Sequence, residues 1–152
     1  MTENSRRLRL DVTAEGAMFA PDEQFRPAPG ERIAVWFGGK FTPRQIRRIV
    51  ELGDGWMPYG GHPMTVPEKA AAISVLRDRF VSAGRDPASL DVCDALAVVD
   101  GSIQRSFEQL PALAAAGVTV IRVHLRRYAQ SPEDVLPVLE EVVRQFEPYC
   151  TL

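Results

Sequence analysis

Residue types that mark several classes of protein are scarce in this sequence. Its 152 residues include two cysteines and two histidines. Cys93 and Cys150 lie far apart, and neither has a histidine nearby at ligand spacing, so we expect neither a disulfide framework nor a metal site. Cys93 interrupts an apolar run, which is typical of a small buried side chain.

Long apolar stretches and an excess of one charge are also missing. No run approaches the roughly 18 apolar residues of a membrane span, and no apolar core follows the basic pair Arg6-Arg7, as it would in a signal peptide. Acidic and basic residues are mixed and the net charge is −2, which leaves no electrostatic footprint for nucleic acid. We therefore expect a cytoplasmic protein that binds neither nucleic acid nor a membrane.

What the sequence does contain is a repeated strand-and-helix pattern. Apolar runs predict strands near 33–37, 55–58, 91–99 and 118–124, the first of them buried on both faces. Predicted helices follow at 42–53, 65–84, 103–116 and 131–146. Thr42 and Thr65, each with glutamine or glutamate three residues later, predict the first two helix starts. Pro111 and Pro137 predict a kink or break in the last two helices.

Four successive β-α units with short connections predict right-handed crossovers and a parallel α/β sheet. This pattern alone does not distinguish an open doubly wound sheet from part of a barrel. Residues 7–12 alternate like a short edge strand, and several prolines and a glycine follow them. We therefore predict an irregular N-terminal segment at 1–31 and a single α/β domain at 32–152.

Four sequence blocks carry a resemblance to a known family. They are Val35-Trp-Phe-Gly-Gly39, Glu51-Leu-Gly-Asp-Gly-Trp-Met-Pro58, Ala83-Gly-Arg-Asp-Pro-Ala-Ser-Leu90 and Ala116-Gly-Val-Thr119. In order and spacing they resemble the second half of the luciferase-like monooxygenase family, over residues about 25 to 148. The resemblance implies a (β/α) half-barrel, made of the last four β/α units of a TIM-type (β/α)8 barrel.

The resemblance also implies a chemistry. The family binds FMN or the deazaflavin coenzyme F420 at the C-terminal mouth of the barrel and moves a hydride, or activates oxygen, on small organic substrates. A complete barrel takes about 250 residues, and nothing resembling the first four strands precedes Arg32. The missing half supplies most of the family's proposed catalytic residues, so we assign no catalytic residue here.

Two hypotheses about function therefore stay open. The first is a flavin- or deazaflavin-dependent oxidoreductase, present as a partial barrel that contributes the cofactor phosphate site. The second is a non-catalytic, truncated remnant of the family, or a half-subunit that needs a partner. In either case we expect a homodimer, or a complex with a chain that supplies the other half-barrel, because half a barrel leaves strand edges unpaired.

The resemblance assigns the cofactor phosphate to the turn at Gly38 and Gly39, with Phe41 and Thr42 beside it. A backbone without Cβ atoms can approach a phosphate that is held by amides at a helix N-terminus. Lys40 could add a positive charge there. The alternative is an ordinary tight turn between a strand and a helix.

Weaker candidates for contact with substrate or with a cofactor tail lie at two other strand ends. Tyr59 and His62 belong to a glycine-rich loop, and His124 ends the last strand, at the end where barrel active sites are built. The alternative for His62 is a solvent-facing side chain.

The remaining polar residues near the strands allow more than one interpretation. Asp54 is predicted to organise a turn, and Trp56 to lie in the core with its indole N–H satisfied locally. Arg122 either lines a polar lumen or pairs with an unidentified carboxylate. Arg126 and Arg127 either bind an anion or form a solvated rim.

Overall fold

A computed structural model describes residues 9–13 by their backbone, and residues 33–58 and 63–149 in full. Five strands form one sheet in the order β1-β5-β4-β3-β2, and every neighbouring pair is parallel. The strands are β1 (Arg9–Thr13), β2 (Trp36–Gly39), β3 (Gly55–Pro58), β4 (Asp91–Ala95) and β5 (Val120–His124). The predicted parallel, chain-order pairing of the four strands β2 to β5 is confirmed.

Helices connect these strands. They are α1 (Pro43–Leu52), α2 (Val66–Ser82), α3 (Ile103–Phe107), α4 (Leu110–Ala115) and α5 (Val135–Phe146), with short 3-10 turns at 87–89, 125–127, 132–134 and 147–149. The steps from β2 to β5 all run in one direction, and right-handed crossovers of that kind place their helices on one face of the sheet. In agreement, α1 contacts α2, α2 contacts α4, and α3 contacts α5.

The hydrophobic core lies between the sheet and this helix layer. Each strand sends alternate side chains to opposite faces, and the helix side receives the large buried ones. The core includes Trp56, Val92, Ile121 and Val123 from the strands and Ile49, Ile73, Leu76, Phe80, Leu110, Leu113 and Val142 from the helices.

The opposite side of the sheet, here called the inner face, takes the intervening residues. These are Trp36, Gly38, Gly55, Met57, Asp91, Cys93, Ala95, Val120, Arg122 and His124. Cys93 is 1% exposed, so the prediction of a small buried side chain is confirmed. Cys150 lies outside the described residues.

The extent of two strands differs from the prediction. The first strand covers 36–39 instead of 33–37, and Ile33 and Val35 are 63% and 44% exposed. The expectation that this run is buried on both faces is wrong, because β2 lies at the edge of the sheet and pairs only with β3 in the described part of the chain. Similarly, β4 ends at Ala95 instead of at position 99.

The predicted helix at 103–116 is two helices. Its break falls at Glu108 and Gln109, and Pro111 lies in the first turn of α4, where a missing amide costs no helical hydrogen bond. Pro137 lies in the first turn of α5 and does not interrupt it. The predicted break is thus confirmed at Pro111 and absent at Pro137.

The N-terminal strand completes the sheet at its other edge. In β1, Leu10 is in register with Ile121 of β5, which confirms the edge strand predicted at 7–12. The whole is a parallel α/β architecture, compatible with half of a β/α barrel. No helix in the described part of the chain is both long and apolar enough to cross a membrane.

Candidate functional site

The turn between β2 and α1 is built by local hydrogen bonds. Gly38 and Gly39 are the last residues of β2, and Thr42 caps α1 by accepting a hydrogen bond on Oγ1 from the Gln45 amide, at 3.2 Å. The Gln45 side chain does not close a capping box. It donates instead from Nε2 to the Gly38 carbonyl oxygen, at 2.9 Å. Gln45 thus fixes the helix start against the end of the strand.

The carbonyl oxygen of Gly39 also accepts a hydrogen bond, from a side chain on the helix side of the sheet. Trp56 Nε1 donates to it at 3.4 Å, and Trp56 itself is fully buried. Phe41 packs on that indole with its ring centroid 5.2 Å away and the two planes at 51°. The prediction that Trp56 is a core residue with a local hydrogen bond is confirmed, and Phe41 packs against the core from the turn.

Amides at the start of α1 complete the turn. Among the hydrogen bonds of the described residues, none uses the amide of Phe41, Thr42 or Arg44 as a donor. Pro43 has no amide hydrogen. Amides at the first turn of a helix carry the positive end of the helix dipole and readily bind an anion. The turn can therefore hold a phosphate or a carboxylate.

The two glycines differ in what the fold requires of them. Gly39 has φ +134°, a conformation in which other residues are strained. Gly38 carries no such constraint, and a Cβ built on it would lie 3.6 Å from Met57 Cε and 3.8 Å from the Met57 carbonyl oxygen, which is ordinary contact. The fold thus accounts for glycine at 39 and leaves glycine at 38 unexplained. What Gly38 provides is open space on the inner face.

A partly buried arginine lies further along the inner face. Arg122 in β5 donates from Nη1 to Met57 Sδ at 3.1 Å, and its Nε is buried without a hydrogen-bond partner. The indole nitrogen of Trp36 is likewise buried and without a partner. His124 ends the same strand, half-buried. Among the described side chains Arg122 thus lines a polar inner face. The other interpretation, a carboxylate partner, stays a prediction, because Asp11 of β1 is in register with Arg122 and is described by its backbone alone.

The candidate residues from the sequence fall into two groups. Gly38, Gly39, Phe41 and Thr42 lie together in one turn, whereas His124 lies on β5, three strand spacings or roughly 14 Å from β2. Tyr59 and His62 lie outside the described residues. Lys40 is exposed beside the turn, and Arg126 and Arg127 are exposed after β5. Exposure is compatible with both interpretations of the two arginines.

Asp54 belongs to a structural cluster at the other end of the strands. It accepts the Val35 amide hydrogen on Oδ2 at 2.9 Å, and its own amide donates to the Val35 carbonyl at 2.7 Å. Arg85 Nη2 lies 3.6 Å from Asp54 Oδ1, and Arg85 Nη1 donates to the Val50 carbonyl at the end of α1, at 2.8 Å. The predicted turn role of Asp54 is confirmed, while Arg85 was missed.

A buried ion pair on the helix side was also missed. Lys69 Nζ in the first turns of α2 binds Asp94 Oδ2 in β4, and the two side chains are 15% and 9% exposed. The only sequence signal was a carboxylate inside an apolar strand. Because the pair lies between the sheet and the helix layer, it joins two elements and does not open onto the inner face.

Neither metal chemistry nor a known relative adds to this site. In the described ranges, no group of three or more histidine, cysteine, aspartate or glutamate side chains could hold a metal ion. Comparison with models of known protein families and with curated proteins finds no match. A proposal about function therefore depends on the four sequence blocks and on the geometry of the β2–α1 turn and the inner face.

Proposed function

We propose that this chain is a partial barrel of the luciferase-like type, a flavin- or deazaflavin-dependent oxidoreductase unit that holds the phosphate of FMN or F420 at the Gly38-Gly39 turn. The observation that carries the proposal is Gly38. The fold does not require glycine at this position, and Gly38 lies beside backbone amides for which no acceptor is described.

The chemistry of the turn fits a phosphate. The amides of Phe41, Thr42 and Arg44 would supply hydrogen-bond donors, and exposed Lys40 would add a positive charge. The bare backbone at Gly38 would let the rest of the cofactor continue along the inner face past Met57. When bound, the flavin or deazaflavin supplies the hydride or oxygen chemistry, and the protein binds and orients the cofactor.

The position of β1 supports the barrel part of the proposal. In a closed (β/α)8 barrel the first strand neighbours the last, and here β1 pairs in parallel with β5. The chain then corresponds to a barrel without its second to fourth strands. We propose that a second copy, or a chain supplying those strands, completes the mouth for a small organic substrate in the cytoplasm.

The alternative is a non-catalytic member of the same lineage. It is favoured by the open sheet, since β1 and β2 occupy its two edges and are not paired with each other in the described residues. In that case the turn would bind a cofactor weakly or not at all.

Titration of FMN, and separately of F420, by fluorescence tests the proposal. The Gly38→Val side chain would press toward the flexible end of Met57 and enter the space claimed for the cofactor. We expect it to weaken binding about ten- to a hundredfold, because one charge-assisted hydrogen bond is worth about 1.5–3 kcal/mol. Riboflavin, which has no phosphate, should bind more weakly than FMN and respond less to this substitution.

Gly84 provides the control. It follows α2 at the far end of the strands, has φ +70°, and has no atom within 4 Å of a built Cβ. Gly84→Ala should therefore lower the free energy of unfolding through backbone strain alone. It should leave the affinity for FMN unchanged. The proposal fails if the wild-type protein binds neither cofactor, or if the Gly38 and Gly84 variants lose affinity equally.

A further inference from the structure

Among the described residues, Arg122 is a feature of the inner face that neither the packing nor the Gly38-Gly39 turn explains. It lies in the middle of β5 between Ile121 and Val123, both fully buried. Its described hydrogen bond goes to a thioether sulfur, which is a weak acceptor, and its Nε is buried with none. Among the side chains that the structure describes, no carboxylate lies within ion-pair distance of the guanidinium.

Other partly buried cations of this protein have oxygen atoms as hydrogen-bond acceptors. Lys69 is paired with Asp94, and Arg85 is shared between the Asp54 carboxylate and two backbone carbonyls at the end of α1. Arg77 has no described carboxylate partner but donates to a backbone carbonyl oxygen at 3.4 Å. All three cations thus have oxygen acceptors, as partly buried charges generally do. Within the described ranges Arg122 differs from these cations, because its acceptor is a sulfur atom. A ligand oxygen can therefore supply the counter-charge that no described side chain provides.

The surroundings of Arg122 define what that ligand must offer. Its side chain reaches across β4, where Cys93 and Ala95 are small, and places Nη1 3.1 Å from Met57 Sδ on β3. Further along the same face, Trp36 Nε1 on β2 is a second buried donor, placed over Gly55 at the start of β3. Both guanidinium and indole can only donate hydrogen bonds. The complementary group is rich in acceptors and negatively charged.

We propose that Arg122 binds a carboxylate or phosphate group of a ligand lying on the inner face. The planar guanidinium would donate two parallel hydrogen bonds to two oxygens of that group, in the bidentate geometry that arginine commonly adopts with carboxylate and phosphate. The group can come from an acidic substrate or from the phosphate of a cofactor. This inference does not depend on flavin binding.

Thermal unfolding in matched ionic strength tests the proposal, with sodium phosphate and sodium acetate as probes and sodium chloride as the reference. A ligand that binds only the folded state raises the unfolding temperature as its concentration passes the dissociation constant. We expect phosphate or acetate to stabilise the wild-type protein above chloride. Arg122→Met should abolish that gain, and Arg122→Lys, which keeps charge but loses the fork, should weaken the fitted affinity at least tenfold.

The unliganded variants provide an independent readout. Because methionine removes a half-buried cation with no described counter-charge, Arg122→Met without added anion should unfold at the wild-type temperature or higher. Arg127→Met, at the exposed rim, should keep the full response to the anions. The proposal is overturned if Arg122→Met retains the anion response, or if it unfolds well below the wild type without anions, since that would mean a protein partner holds the guanidinium.

Comparison of FMN with riboflavin separates the two sources of the anion. If Arg122→Met weakens FMN binding at least tenfold and leaves riboflavin unchanged, the FMN phosphate binds at Arg122 and not at the Gly38-Gly39 turn. If FMN affinity is unchanged while the phosphate or acetate response is lost, the group belongs to a substrate. Absence of any flavin binding would defeat the proposed function and leave the anion result at Arg122 standing.

Discussion

At the scale of single residues, the Lys69–Asp94 pair decides how α2 sits on β4. Both side chains are largely removed from water, and Asp94 also accepts the Ala95 amide hydrogen on Oδ1 at 2.9 Å. Losing one partner of a buried pair leaves an uncompensated charge, whereas replacing both with apolar groups is often neutral. The two residues should therefore behave as one unit.

We predict that Asp94→Asn lowers the free energy of unfolding by about 3–5 kcal/mol, the usual cost of breaking a buried ion pair. Urea denaturation monitored by circular dichroism measures the change. The double variant Lys69→Met/Asp94→Leu should recover most of the loss, because no charge then remains buried. A loss below about 1 kcal/mol for Asp94→Asn, in the range of an exposed pair, would show that water still reaches this site.

At the scale of elements, three of the four sequence blocks serve the N-terminal end of the sheet. Asp54 and Arg85 join two of those blocks across the start of β3. In the fourth block, Thr119 Oγ1 accepts the Val92 amide hydrogen at 2.9 Å and so fixes the start of β5 to β4. The first two blocks also reach the C-terminal end of the strands, where Gly38 and Gly39 are in register with Met57 and Pro58. The blocks therefore carry mostly folding information, since that end of a barrel is associated with stability.

The start of α2 makes the fold sensitive to acid. The Thr65 amide first, and then the Thr65 hydroxyl, hold the pKa of Glu68 below its ordinary value of 4.5. A carboxylate with a lowered folded-state pKa stabilises the fold above its unfolded pKa, and that contribution is lost as the pH falls toward the folded value. Protonation removes the acceptor that closes this capping box.

We accordingly predict that Glu68→Gln lowers the unfolding temperature at neutral pH, and that its deficit relative to the wild type shrinks as the pH falls below about 4.5. Calorimetry at a series of pH values measures both proteins. Glu140→Gln, exposed on α5 and outside the cap, is the matched control. A deficit for Glu68→Gln that stays constant from neutral to acid pH would contradict the assignment.

Helix starts were predictable from the sequence and strand limits were not. Thr42 and Thr65 cap their helices as predicted, because a cap depends on residues within one turn. The start of β2 was misplaced, because an apolar run forms a buried strand only where both neighbours exist. On α2, Phe80 is fully buried whereas Val81 is 60% exposed, because successive residues of a helix point about 100° apart.

At the scale of the whole molecule, the alternation of strands and helices was enough to predict a parallel sheet with its helices in order. It was not enough to predict which side of the sheet carries chemistry. Gly38, Met57 and Arg122 meet through strand order and register, which no local pattern contains. The sites of Lys69 and Arg85 were missed for the same reason, because their partners are 25 and 31 residues away in the chain.

The open sheet leads to a prediction about association. Ile33 and Val35, just before edge strand β2, expose large apolar side chains, and an edge strand without a neighbour is a template for pairing. We predict that the protein is a dimer at micromolar concentration, or a complex with a chain that supplies the other strands. The variant Ile33→Lys/Val35→Lys should raise the dissociation constant at least tenfold, because lysine near an edge opposes strand pairing.

Sedimentation and light scattering at a series of concentrations test this prediction, with Val81→Lys as the control. Val81 is as exposed as Ile33 but lies on α2, away from both edges of the sheet, so its replacement adds a charge without touching β2. If both variants dissociate equally, the interface involves the helix layer and not the open edge. If the wild-type protein is a monomer at every concentration, the prediction is wrong, and the open sheet is stable without a partner.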